Sequence, residues 1–173
     1  LPEKYKTPLQ DGIDYKSKVL AAITHSQEVV GLLLDDPNVD LESDETSTAL
    51  ANCLFDFNYI DRTVERQDAF IMVDADMTNV TSQSFNAWEL YVQIVCYKEY
   101  VPLDPKKFKG VKGNRRDNLT NEVDLLLNGQ RLFNVGQIEL ISATTAVVPD
   151  SFTSKMLTYR LIEPRRERYG AKY

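Results

Sequence analysis

Residues 114–162 read NRRDNLTNEVDLLLNGQRLFNVGQIELISATTAVVPDSFTSKMLTYRLI, and their pattern decides the fold class. From Asp117 to Leu127 the apolar residues Leu119, Val123, Leu126 and Leu127 recur at helical spacing and form one stripe. Asn128-Gly129 stops this helix, because glycine accepts the left-handed backbone of a C-terminal cap. Arg131-Leu132-Phe133-Asn134-Val135-Gly136 then leads into a strand, Gln137 to Ala143, with Ile138 and Leu140 facing inward. A polar linker separates it from a last strand, Met156 to Ile162, in which Leu157, Tyr159 and Leu161 alternate toward the core.

Upstream, Trp88 to Tyr97 alternates clearly, with Trp88, Leu90, Val92, Ile94 and Cys96 on one side and Glu89, Tyr91, Gln93 and Tyr97 on the other. Ala69 to Ala75 is a compact apolar run that fits a central strand. Cys53 to Ile60 places Phe55, Phe57 and Tyr59 on one face. Asp76 to Asn86, rich in Thr, Ser and Asn, reads as a turn region. Tyr15 to Leu34 carries Val19, Ile23, Val30 and Leu34 at helical spacing, with Asp14 as N-cap and Pro37 beyond the end. Ala49 to Ala51 reads as a short helical turn.

The expected fold is therefore α+β: a mostly antiparallel sheet of about five strands, two main helices packed on it, a long loop and extended terminal arms. One domain spans residues 1–173, with an arm at 1–12, a core at 13–163 and a second arm at 164–173. Leu90, Val92 and Ile94 are expected to face Val19, Ile23, Leu119 and Val123.

A chain of 173 residues suits one domain with a real core, and 43% hydrophobic residues is too apolar for general disorder. No apolar run approaches the ~20 residues of a membrane helix, and no signal peptide is expected from the residues near Leu1. Cys53 and Cys96 lie in apolar strand-like runs, so they read as reduced core residues of an intracellular protein. A net charge of −6 argues against general nucleic-acid binding.

The residues carry little chemistry. His25, the single histidine, cannot make a multi-histidine metal site and reads as a partly buried structural residue. Neither a nucleophile motif nor a glycine-rich phosphate loop is present. Asp74, Asp76 and Glu89 stand at strand ends, where carboxylates can hold a divalent ion for phosphodiester cleavage. A metal nuclease commonly has a lysine two residues after such a glutamate, and Tyr91 stands there instead, so aspartates capping a turn is the plainer reading.

Charge distribution says more. Lys106 to Arg116 holds six basic residues and no acid: Lys106, Lys107, Lys109, Lys112, Arg115 and Arg116. It ends an 18-residue connection from Glu99 that is long for a loop in a compact domain. Only Phe108 is interleaved, which is too little aromatic surface for a single-strand binding groove. Asp35 to Glu45 holds six acids, among them Asp35, Asp36, Asp40 and Glu42, and no base. It reads as a solvated loop able to meet the basic segment on a second copy, a heterologous contact that can close into a ring. The tail adds Arg165, Arg166 and Arg168. Loop and tail are expected to bind between chains and to be mobile in an isolated subunit.

With its second helix, Asn128-Gly129, Arg131-Leu132-Phe133 and the strand Gln137 to Ala143, the chain resembles head–tail junction proteins of tailed bacteriophages, and among them tail terminators, also called tail-completion proteins. The resemblance covers roughly residues 13 to 163 in element order and is residue-level only from about Asn114 to Ile162. It implies a virion protein that assembles in the bacterial host cytoplasm as a ring, typically a hexamer. That ring caps the tail tube, joins it to the head connector or a head-closure protein, and lets DNA pass without sequence-specific binding. It implies no catalytic residue, cofactor, metal or membrane. The long loop and tail also suit a head-closure or neck adaptor protein, which is the alternative; the Asp74, Asp76 and Glu89 nuclease is a more distant one.

Overall fold

The computed structural model describes residues 8–57, 68–82, 85–131 and 136–164. Among these the order is α1 (Pro8–Thr24), α2 (Gln27–Leu34), α3 (Asp44–Ala51), β1 (Leu54–Phe55), β2 (Ala69–Ser82), β3 (Phe85–Tyr97), α4 (Arg115–Leu127), β4 (Glu139–Thr144) and β5 (Phe152–Pro164). The five strands form one open sheet in the order β1-β2-β3-β5-β4. All neighbours are antiparallel except β1 on β2. This is the α+β fold expected from the alternation of stripes.

The inner face of the sheet is built as its period dictates. Trp88, Leu90, Val92, Ile94 and Cys96 are buried with Ile71, Val73, Leu157, Tyr159 and Leu161 against Val19, Ile23, Leu119 and Val123. α1 packs on β2, α2 on α4, and α4 on β3 and β5. Trp88 meets the Tyr15 ring edge-on at 5.5 Å. The outer face divides in two. Near its Tyr97 end Phe70, Met72, Val95 and Phe152 make a second apolar cluster, which Phe55, Tyr97 and Val148 flank. Toward its Glu89 end it turns polar. Cys53 and Cys96 are buried and not joined in a disulfide, and burial pushes the Cys96 thiol up to about 12.

Several elements differ from the expectation, each for a local reason. The first helix is two. The chain breaks at His25-Ser26, where Ser26 adopts an extended backbone and its hydroxyl accepts from the Val29 N–H, so the capping residue overrides an apolar period that runs through it. α1 begins at Pro8, within the stretch read as an extended arm, since proline is tolerated in a first helical turn; residues 1–7 lie outside the described ones. Ala49 to Ala51 is the end of α3, whose N-cap Ser43 accepts from Thr46 N–H, so the acidic stretch runs into a helix and is not all loop. Of the strand read over Cys53 to Ile60, the described residues form strand at Leu54–Phe55, held by the Ile71 N–H donating to the Cys53 carbonyl at 2.8 Å. Phe57 is 48% exposed, while Tyr59 and Ile60 lie outside the described residues.

Of Asp76 to Asn86, read as a turn region, the described residues are strand, and Gln83 and Ser84 lie outside them. β2 runs on to Ser82 and pairs with β3 back to Phe85, with register shifts after Met77 and Asn79. Cross-strand hydrogen bonding thus overrides a composition poor in strand formers. β5 likewise begins earlier than Met156, at Phe152, and pairs with β3 along its whole length. No helix among the described residues is long and apolar enough to cross a membrane.

Candidate functional site

The basic connection is anchored from within its own chain. β3 passes into a 3-10 turn, Lys98–Tyr100, and the connection then runs to Asn114, whose side chain caps α4 by accepting from Asp117 N–H. Midway, Phe108 is buried at 6% exposure, and its N–H donates to the Asp104 carbonyl at 2.9 Å. Arg115 is 2% exposed. Its Nε donates to the Tyr100 carbonyl at 2.8 Å; its two terminal nitrogens donate to the Leu32 carbonyl and to Asp35 Oδ1. The guanidinium lies over the Tyr100 ring, 4.0 Å from its centroid. Tyr100 in turn donates through its hydroxyl to the Leu33 carbonyl at 3.2 Å.

Asp35 completes the network. It caps α2 in the left-handed conformation, φ 59°, with its N–H donating to the Gly31 carbonyl. Its carboxylate takes Arg115 on one oxygen and Lys107 Nζ on the other. Burial alone would raise the Asp35 pKa, but the hydrogen bonds and charges of Lys107 and Arg115 outweigh it and hold the carboxyl below its ordinary 3.8. Lys107 is held above its ordinary value by its bond to Asp35. A cationic fork at the carbonyl end of α2 also matches the helix dipole.

Asp35, Lys107 and Arg115, expected at contacts between chains, are bound to one another within the chain. Six acids and six bases are a natural complement, and the fold brings Asp35 of the one set to Lys107 and Arg115 of the other; an arginine that can fill three acceptors at once is satisfied internally. Arg116 is also engaged within the chain, donating from Nη1 to Thr153 Oγ1 at 2.6 Å and binding Asp117. Arg115 had a signal in the sequence: it stands four residues before Leu119 and eight before Val123, on the buried stripe of α4.

What stays exposed is Lys106, Lys109 and Lys112, together with Asp36, Asp40 and Glu42. Asp35, Asp36, Lys106, Lys107 and Lys109 are among the residues that line a 630 Å³ cleft. Asp36 and Asp40 accept from the N–H of Asn38 and of Glu42, both at 3.0 Å, so they also shape their own turns. Arg165, Arg166 and Arg168 lie outside the described residues.

The carboxylates proposed for a nuclease do come together. Asp76 pairs directly with Glu89 across β2 and β3, and Asp74 pairs with Tyr91 in the next row of the outer face. Tyr91 donates to Glu89 Oε2 at 2.6 Å, and Lys16 reaches Asp74 at 3.7 Å. Among the described residues, however, no group of three or more His, Cys, Asp or Glu side chains is placed to hold a metal ion. His25 is exposed, not partly buried. Its Nδ1 donates to the Ala21 carbonyl at 2.6 Å, which closes the end of α1 and gives no nucleophile a base.

The described residues thus form an open α+β sheet with charged loops anchored within the chain. The chain belongs to the YomW family, whose model matches residues 26–161. Its fold is also similar to a solved chain described as "Virion of native gene transfer agent (GTA) particle", with a TM-score of 0.55 over 92% of this chain and 100% of that one, at 8% identity. No curated protein matches the sequence.

Proposed function

We propose that this chain is a structural virion protein of a phage or phage-derived particle, and that it forms a ring at the head–tail junction. In this reading it is a tail terminator: copies of the chain, six to a ring, cap the tail tube protein and bind the head connector or a head-closure protein. The observation that carries the reading is the end-to-end fold likeness to a chain of a gene transfer agent virion. It is supported by a molecule whose distinctive chemistry is exposed charge on rigid supports. The net charge of −6 suits a channel that DNA crosses without being held.

The Val101–Asn114 connection with its projecting lysines also suits a head-closure adaptor, which must reach a neighbouring ring. Particles assembled without the chain separate the two. If it caps the tail, its loss leaves closed heads beside tails of uncontrolled length. If it closes the head, its loss leaves emptied heads beside normal tails. Normal joined particles without this chain would overturn both readings.

A further inference from the structure

We propose that the outer face of the sheet around Asp74, Asp76 and Glu89 is the docking surface for the Lys106–Lys112 loop of a second copy of this chain. The inference rests on the ring reading and names the contact that builds the ring.

The first observation is a rule broken by the sheet. Across one row of the outer face stand Asp76, Glu89, Arg160 and Glu139, each directly opposite the next. Asp76 and Glu89 are the like-charge pair of this row, and like charges directly opposite one another destabilise a strand pair. Arg160 stands between Glu89 and Glu139 as their shared counter-charge, and a departure of the Asp76–Glu89 kind marks a surface kept for function. Asp76 and Arg160 are exposed, and Glu89 half-buried. The negative field is felt by Tyr91, whose phenol is pushed up to about 12 by its bond to Glu89, by burial, and by the charges of Glu89, Asp76 and Asp74.

The second observation is the presentation of the loop. Phe108 and Arg115 are buried and Lys107 is bound to Asp35, whereas Lys106, Lys109 and Lys112 point into solvent. A loop already fixed at its base loses little entropy on docking. Val111, between the lysines, is 44% exposed, and Ile162, beside Arg160 on the outer face, is 51% exposed. Each charged patch therefore carries an apolar contact.

The third observation is that the two patches belong to different ends and sides of the sheet. The loop leaves the sheet after Tyr97, beside the end of α2 on the helix-covered side. Glu89 stands on the other side, eight residues back from Tyr97 along β3, a strand span of roughly 26 Å at about 3.3 Å per residue. A contact joining two different patches of identical chains is heterologous, and it repeats until the rotation closes.

Carbodiimide cross-linking of rings assembled from mixed 14N and 15N chains tests this. Mixed-isotope links from Lys106, Lys109 or Lys112 to Asp74, Asp76 or Glu89 are expected. The paired reversals D76K/E89K and K106E/K109E should each weaken assembly by at least about tenfold, and mixing or combining them should restore it, with unfolding of each variant monitored by circular dichroism. Rings that form normally in either reversal, or lysine links only to Asp36 of a neighbour, overturn the surface while leaving the ring reading intact. K106E/K109E that loses only retained DNA assigns the loop to nucleic acid and also overturns it. Wild-type chains that form no ring, alone or on tail tips, overturn the ring reading itself.

Discussion

Arg115 shows how a residue type misleads when read alone. Its charge suggests surface, yet it takes three acceptors from two segments, the Tyr100 carbonyl on one and the Leu32 carbonyl and Asp35 at the end of α2 on the other, and ties α2 to α4. Removing one partner of a buried pair leaves the other uncompensated, so Arg115→Ala should cost about 3–5 kcal/mol in denaturant unfolding. Arg115→Lys should recover only part, since an ammonium lacks the planar fork. The pH dependence follows from Asp35. Its folded pKa is depressed below 3.8, so its contribution is complete above the unfolded value and is lost as pH falls through the lower folded one. The stability difference between wild type and Asp35→Asn should be constant from neutral pH down to about 4 and shrink in stronger acid. A difference that is unchanged by acid would show that Asp35 is not ionised in the clamp.

Elements were legible where burial imposes a period and illegible where it does not. The inner faces of β3 and β5 and the stripe of α4 announce themselves, because each alternate or fourth side chain must be apolar. Ile94, fully buried, is the test: Ile94→Ala should cost about 2–5 kcal/mol in chemical denaturation, and a loss below roughly 0.5 kcal/mol would remove this strand from the core. The distal half of β2 has no such stripe, so its Thr, Ser and Asn read as turn, and only pairing with β3 makes it strand. The two-residue β1 depends on a parallel partner some 17 residues away, and no local pattern encodes that. The approach of α1 to the sheet is equally hidden. A Cβ on Gly12 would lie 2.7 Å from the Trp88 ring, so Gly12→Ala should destabilise by about 1–3 kcal/mol despite alanine's better helix propensity. Stabilisation on thermal unfolding would mean that the helix can lift off Trp88 at no cost.

At the scale of the whole molecule, charge sets how copies can meet. Each carries −6 overall, so two copies repel at long range unless the basic loop of one turns toward the carboxylates of the other, which favours a head-to-tail approach. The sequence made both charge clusters visible, but it could not show that Asp35, Lys107 and Arg115 are used within the chain, because that depends on which ends of the fold become neighbours. The result is a division that experiment can see. In the proposed ring, contacts between copies rest on exposed ions, which salt screens over a Debye length of about 10 Å at 0.1 M. The monomer rests on an apolar core and on Arg115, which is almost wholly removed from solvent. Raising salt from about 0.05 to about 0.5 M should therefore dissolve assemblies, seen as a fall in mass by light scattering, while the unfolding midpoint of the subunit barely moves. The opposite pattern, stable assemblies and a falling midpoint, would place the apolar surface between copies and the essential charges within one.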